Sequence, residues 1–280
     1  VGAIDNRTVT EGELFDRWAL HMAATGLARG TIAARRSTFR SWWQHTGGEL
    51  WDVDHHAVEA WIAGRGLAQA TAQRQLSDLH RFYWWAQREE LAGKDPTLFV
   101  EPRHRPRRVP RPAPAAVVRR ALQAEDGRVR IAVALMAYGG LRCCEVAGLT
   151  VGDVDFEADR MWVKGKGSNE RYVPLVRPLR AELAAFDGAP AGTPVFPSRN
   201  DPASSTTAGR VSQVVGAHLT AIAGERMGAH RLRHWFAGEM LNRTRSLETV
   251  QQLLGHASIA TTQGYAVLIR VDSDVLEAFD

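Results

Sequence analysis

Five prolines fall within fourteen residues, Glu101-Pro-Arg-His-Arg-Pro-Arg-Arg-Val-Pro-Arg-Pro-Ala-Pro114, and no helix survives that density. Such a strip is an extended, semi-rigid connector, so the 280-residue chain is read as two bodies joined by it. The expected division is a domain over 1–100, a linker over 101–114 and a second domain over 115–280. The same strip carries the charge excess. Net charge is +4, yet the flanks are each within one unit of neutrality, and Arg103, Arg105, Arg107, Arg108 and Arg111 face only Glu101. A basic strip between near-neutral bodies suits a strap on a polyanion, and it equally suits a solvated linker. Charge alone leaves both open.

The first domain reads as all helix. Thr10 before Glu13 has the form of a capping box, followed by helical spacing through Leu14, Trp18 and Met22. Helices are expected over 30–45, 54–64 and 69–90, with Phe39/Trp42/Trp43 and Leu76/Leu79/Phe82/Tyr83 recurring at three and four. Gly26-Leu27-Ala28 returns as Gly66-Leu67-Ala68 forty residues later, which suggests two similar helix hairpins. Arg29, Arg35, Arg36 and Arg40 load one helix and Arg74 and Arg81 another. Beside the basic strip these are candidate DNA contacts, although solvated surface is the commonest fate of arginine.

The second domain mixes helix with a short sheet. Residues 115–125 and 128–138 read as helices, stopped by Gly139-Gly140. Strands are expected over 153–156, 160–163 and 171–175, with a turn over 165–169. After 194–202 the chain returns to helix, interrupted at 224–228 and at Gly255. The expected class is therefore mainly α with a small antiparallel β-sheet in the second domain (α+β).

Several functions are excluded. The two cysteines, Cys143 and Cys144, are adjacent, which suits neither a disulfide scaffold nor a zinc site. No apolar run reaches membrane-span length, and no P-loop, GxSxG elbow, HExxH pair or carboxylate cluster appears. The expectation is a cytoplasmic protein with no metal, no cofactor and no membrane partner.

What remains points to phosphate. Arg142 follows Gly139-Gly140-Leu141 at an expected helix start, a favourable place for an anion, although taken alone its ordinary reading is a salt bridge to Glu145. The chain has three lysines against 32 arginines, and two of the three, Lys164 and Lys166, sit in one hairpin. Lysine can release a proton where arginine cannot, so Lys166 is either a general acid or a solvated turn residue. His230, Arg233 and His234 share one helical face, and His256 and Tyr265 follow downstream. Together they offer proton-transfer groups, fixed cations and a phenol nucleophile.

These stretches carry a resemblance. Tyr138-Gly-Gly-Leu-Arg142-Cys-Cys-Glu145-Val-Ala-Gly-Leu149 resembles the first-arginine box of the tyrosine recombinases, the phage integrase and Xer family. Val163-Lys-Gly-Lys166-Gly-Ser-Asn-Glu-Arg171-Tyr-Val-Pro174-Leu resembles their lysine hairpin. His230-Arg-Leu-Arg233-His234 is similar to the HxLRH box, and the run from Leu253-Leu-Gly-His256 to Thr262-Gln-Gly-Tyr265 to the LLGH…TTxxY segment. All four stand in the family's order, and the helical first half and linker resemble its core-binding domain and connector. Cys143-Cys144 replaces the more usual Ile-Ser, a difference of packing.

The resemblance implies a site-specific DNA recombinase, with a phage integrase expected first. The alternatives are an Xer-type dimer resolvase, a type IB topoisomerase and a catalytically silent DNA-binding regulator. Tyr265 would attack the scissile phosphate to give a 3′-phosphotyrosyl bond, with Arg142 and Arg233 holding the non-bridging oxygens and His256 bonding the same phosphate. Lys166 would protonate the departing 5′-oxygen and His230 would assist proton transfer at the tyrosine. Glu145 and His234 would support them from behind. The implied assembly is a C-shaped clamp on double-stranded recombination sites, a homotetramer that passes through a Holliday junction, with an accessory directionality factor. The tail (Val267, Leu268, Val271, Val275, Leu276, Phe279) has helical spacing for a neighbouring protomer or its own domain. The chain enters the core-binding region at once. That is expected of a compact integrase acting on simple sites, or of a chain whose arm-binding domain lies elsewhere.

Overall fold

A computed structural model describes residues 9–101, 109–165, 170–255 and 262–268. Lys166, His256, Arg103, Arg105, Arg107, Arg108, the tip of the lysine hairpin and the tail from 269 onward lie outside the described residues. The chain divides into two units, Val1–Pro106 and Arg107–Asp280, and the division falls inside the Pro/Arg strip.

The first unit is helical: α1 (Glu11–Ala24), α2 (Arg29–Thr46), α3 (His55–Ala63) and α4 (Gln69–Arg88). Thr10 caps α1 as a reciprocal box, with Glu13 N–H donating to Thr10 Oγ1 and Thr10 N–H donating to Glu13 Oε2. Gly26 and Gly66 both adopt the left-handed backbone (φ +79° and +54°), and each opens the turn into the next helix. The forty-residue echo is therefore a repeated turn conformation. The apolar faces meet in an aromatic core of Phe15, Trp18, Phe39, Trp42, Trp61, Phe82, Tyr83 and Trp85. Two of its polar atoms are satisfied in series: Trp42 Nε1 donates to Tyr83 Oη at 3.0 Å, and Tyr83 Oη donates to the Leu50 carbonyl at 2.9 Å.

In the second unit, α5 (Ala115–Ala121), α6 (Gly127–Tyr138) and α7 (Cys143–Gly148) precede a three-stranded antiparallel sheet. Its strands are β1 (Val154–Asp155), β2 (Arg160–Lys164) and β3 (Glu170–Pro174), paired in the order β1-β2-β3. Then come α8 (Arg177–Leu183), α9 (Ala208–Ala223), α10 (His230–Thr244), α11 (Leu247–Leu254) and a 3₁₀ turn over Gly264–Leu268. Helix α6, buried continuously from Ala132 to Ala137, is the centre around which α8, α9 and α10 pack. Two departures from the sequence reading stand out. The sequence reading did not include α8. The helical run after 228 breaks at Arg245, whose left-handed backbone (φ +53°) ends α10 where glycine would ordinarily stand.

The last residues of the basic strip are pinned to the second unit. Ala113 N–H donates to the Arg231 carbonyl at 3.0 Å, and Arg231 Nη2 donates to the Pro112 carbonyl at 3.1 Å. Among the described residues no helix is long and apolar enough to cross a membrane.

Tyr83→Phe keeps the ring and removes the oxygen that serves both Trp42 and Leu50. It should cost about 1–3 kcal/mol through two orphaned buried groups, read as a lower denaturation midpoint with an unchanged slope in urea.

Candidate active site

The site is assembled from four segments of the second unit. Gly140 takes the left-handed conformation (φ +65°) and presses so closely on α10 that a Cβ would sit 2.5 Å from the Phe236 ring. This turn delivers Arg142 to the start of α7, where its backbone N–H donates to Glu145 Oε2 at 2.8 Å and its Nη1 donates to Oε1 at 2.7 Å. The salt bridge expected of Arg142 is present, and about a third of its side chain still reaches the surface.

Glu145 has a fully buried carboxylate and binds more than Arg142. Arg171 on β3 grips it bidentately, Nη1 to Oε1 at 3.0 Å and Nη2 to Oε2 at 2.9 Å. Arg233 Nη1 stands 3.7 Å from Oε2. Burial by itself raises this carboxyl's pKa. Hydrogen bonding and charge from Arg171, the Arg142 backbone N–H and Arg233 outweigh it and hold the group below the usual carboxylate value.

Arg233 is entirely buried. Its Nη1 donates to the Gly140 carbonyl and its Nη2 to the Leu254 carbonyl, joining the α7 turn to the end of α11. Arg171 Nε donates to the adjacent Leu253 carbonyl at 2.7 Å. Two cations thus cap the C-terminus of one helix, where its dipole is negative. Gly255 closes that helix with φ +61°, and a Cβ there would lie 3.0 Å from Arg171. Arg233 Nε has no acceptor among the described residues. Burial first and Arg142 next lower its pKa to about 9, so it remains a cation at neutral pH.

Tyr265, on the 3₁₀ turn, is buried against α10 with its oxygen 2.9 Å from His234 Nδ1. Burial raises the phenol pKa while the charges of Arg233 and Arg142 lower it, and burial prevails. His234 is lowered to about 4, by burial first and then by His230, Arg233 and Arg231. His230, one turn earlier, packs edge to face on His234 with ring centres 4.6 Å apart. Partial loss of water, Arg233 and Arg142 lower its pKa too. Both imidazoles are neutral at pH 7.

The structure therefore brings Arg142, Glu145, His230, Arg233, His234 and Tyr265 together. The sequence reading set His230 at the tyrosine; the contact with the phenol belongs to His234. Arg171 was not singled out, although an arginine opposite Val163 on the inner face of the hairpin was the available signal. Of the arginines proposed for DNA in the first unit, four meet acids: Arg35 and Arg74 share Asp78, Arg36 pairs with Asp16 and Arg40 with Glu11. Arg29, Arg81 and Arg111 are exposed and make no ion pair among the described residues. No group of three His, Cys, Asp or Glu side chains able to hold a metal ion occurs among the described residues.

Comparison with known proteins identifies the family. The phage integrase family model matches residues 114–269. XerC of Neisseria meningitidis serogroup C / serotype 2a is 31% identical over 278 residues, covering 91% of this chain and 90% of that protein. XerD of Xanthomonas axonopodis pv. citri is 30% identical over 288 residues, covering 91% and 92%. Among solved structures, a lambda integrase (75-356) dimer bound to a COC′ core site matches with a TM-score of 0.73 at 19% identity, covering 91% of this chain and 94% of that one. The Tn1549 transposon integrase in complex with transposon right end DNA matches with a TM-score of 0.72 at 18% identity, covering 96% and 98%. At these identities the two structures show a shared fold.

Glu145→Gln should cost roughly 3–5 kcal/mol at neutral pH, because Arg171 and Arg233 would keep buried charges without a counter-ion. The pH dependence has a definite sign. The carboxyl is depressed in the folded chain, so its contribution is complete above the ordinary carboxylate pKa of about 4.3 and is lost as pH falls through the folded value. Thermal melts from pH 7 to 3 should show the parent losing more stability than the variant below that range.

Proposed function

The chain belongs to the phage integrase family and is a tyrosine-type site-specific recombinase, a DNA strand-transferring enzyme, and we propose that it breaks and rejoins DNA through Tyr265. One observation carries this reading: the phenol is held on a neutral histidine within the field of two arginines, Arg142 and Arg233. Tyr265 attacks the scissile phosphorus, forming a 3′-phosphotyrosyl ester as the bond to the 5′-oxygen breaks. Arg142 and Arg233 hold the non-bridging oxygens, and the Nε–H of Arg233, which has no acceptor among the described residues, is a buried donor suited to one of them. Lys166 supplies the proton to the 5′-oxygen, and His256 bonds the phosphate from the segment after α11. The ester conserves the energy of the broken bond, so rejoining needs no nucleotide.

Residues 1–100 serve as the core-type DNA-binding domain, 101–114 as the linker and 115–280 as the catalytic domain. Of the arginines read as DNA contacts, Arg29, Arg81 and Arg111 are exposed and unpaired with an acid among the described residues, which leaves them available for phosphate contacts. Double-stranded recombination sites are the partner, in a homotetramer that exchanges strands through a Holliday junction, with an accessory factor setting direction. The site of action is the cytoplasm, where that DNA lies. Two tasks fit the chemistry. Integration of a phage genome is the sequence reading. Resolution of chromosome or plasmid dimers is favoured by the XerC and XerD relatives, each matched over about nine-tenths of its length.

A nicked suicide substrate should trap a covalent protein–DNA adduct that disappears in Tyr265→Phe. Arg142→Ala and Arg233→Ala should each slow its formation by about 10²–10³-fold, measured as single-turnover rates on gels. A parent chain that binds DNA without forming an adduct would be a regulator. Relaxation of site-free supercoils by monomers would mark a topoisomerase.

A further inference from the structure

We propose that Asn242, with Gly238, is a clasp that positions the turn carrying Tyr265, and that rapid cleavage requires it. The kinetic part of this inference rests on the phosphotyrosyl reading above. The turn over Gly264–Leu268 is one 3₁₀ segment of five residues, and so short a helix has little stability of its own. Its place is set by what it docks on, and that is α10. His234, Gly238 and Asn242 recur at every fourth position there, which sets them in one row along the helix. At the front of the row, His234 Nδ1 lies 2.9 Å from the Tyr265 oxygen. At the rear, about 12 Å along the axis, Asn242 Nδ2 donates to the Leu268 carbonyl at 3.2 Å and to the Gly238 carbonyl at 2.9 Å. Both partners are acceptors, so only the nitrogen side of the amide can face them. Between the two ends, Gly238 is buried and leaves room for the Leu268 side chain, which a Cβ there would already touch at 3.4 Å.

The two ends do different work. The front contact is made by the reacting oxygen itself, so it changes when that oxygen bonds to phosphorus. The rear contact uses a backbone carbonyl that takes no part in the chemistry, and it holds through cleavage and rejoining. Phe236, Leu241, Val250 and Leu254 pack with the Tyr265 ring, but apolar burial has no direction and does not fix where the turn sits along α10. The amide bond does. A reacting atom misplaced by about 1 Å can cost about 10²-fold in rate, so one polar contact far from the phosphate gains kinetic leverage beyond its share of stability.

The test uses the full chain, nicked suicide DNA and ¹⁹F spectra of protein labelled with 3-fluorotyrosine. The chain has four tyrosines, and Tyr265→Phe identifies the line that belongs to the nucleophile. In Asn242→Ala and Gly238→Val that line should broaden or shift towards solvent, while the other three lines and the affinity for DNA stay as in the parent. Adduct formation should slow about 10–100-fold. Asn242→Asp is isosteric and gives the sharper readout. Its ionised carboxylate cannot donate to either carbonyl, so at neutral pH it should be as slow as Asn242→Ala. A protonated carboxyl donates to Leu268 again. The variant's rate relative to the parent's should therefore climb on acidification towards the carboxyl pKa, ordinarily about 3.9 and raised here by the neighbouring carbonyls. A parental rate with an unmoved line in Asn242→Ala, a flat ratio in Asn242→Asp, or movement of all four lines in every variant would overturn the clasp. A parent that forms no adduct refutes the phosphotyrosyl reading instead, and the fluorine lines, read without DNA, still decide the clasp.

Discussion

The buried carboxylate of Glu145 is the interaction on which the site depends. It accepts hydrogen bonds from Arg142 and Arg171 and lies beside Arg233, so one negative charge stands among three positive ones. That imbalance is informative. A buried ion cluster is seldom the cheapest way to stabilise a core, since well-packed apolar residues do as well or better. Here the carboxylate offsets enough repulsion for the guanidiniums to coexist and leaves the pocket cationic. On the proposed reading, an incoming phosphate diester supplies the missing negative charge. Arg142, the member with surface exposure, is placed to meet it first.

The same cluster fixes geometry across long stretches of chain. Arg233 ties the carbonyl of Gly140 to that of Leu254, and Arg171 adds Leu253, so β3, the α7 turn, α10 and α11 are bound at one point. These contacts use backbone carbonyls at a helix end, groups that a helix leaves unpaired in any case. Gly140 and Gly255 make the close approaches possible, one against the Phe236 ring and the other against Arg171. Substituting either would move a segment that carries the chemistry.

Much of this was legible in the sequence, for physical reasons that can be named. Helix periodicity in α1–α4 and the Thr10 box are local signals, and they yielded the helical first unit. The HxLRH run lies on a single helix, so a shared face follows from spacing alone. The ionic pairings were not legible because they join distant residues. Arg35 and Arg74 meet at Asp78 across two helices, and Arg40 reaches Glu11. Nothing local distinguishes such an arginine from one that faces DNA. Arg171 was obscured in a strand read only for alternation, and its inward parity emerges with the register Val163↔Arg171. The break after α10 rests on a left-handed Arg245, a conformation that sequence assigns to glycine or asparagine.

The resting pocket is also chemically quiet, and its electrostatics explain why. Burial keeps Tyr265 a phenol against the pull of two arginines, and both histidines of α10 are neutral. A free phenolate would gain from the arginines but lose its hydration, and the second effect is the larger. A phosphate group adds negative charge, which disfavours a preformed phenolate further while strengthening the imidazole as a base. Loss of the proton and attack on phosphorus must therefore be coupled. On the proposed reading, Tyr265 becomes a reactive nucleophile only where a phosphodiester sits between the arginines, which protects a chain that carries its own phenol from acting without DNA.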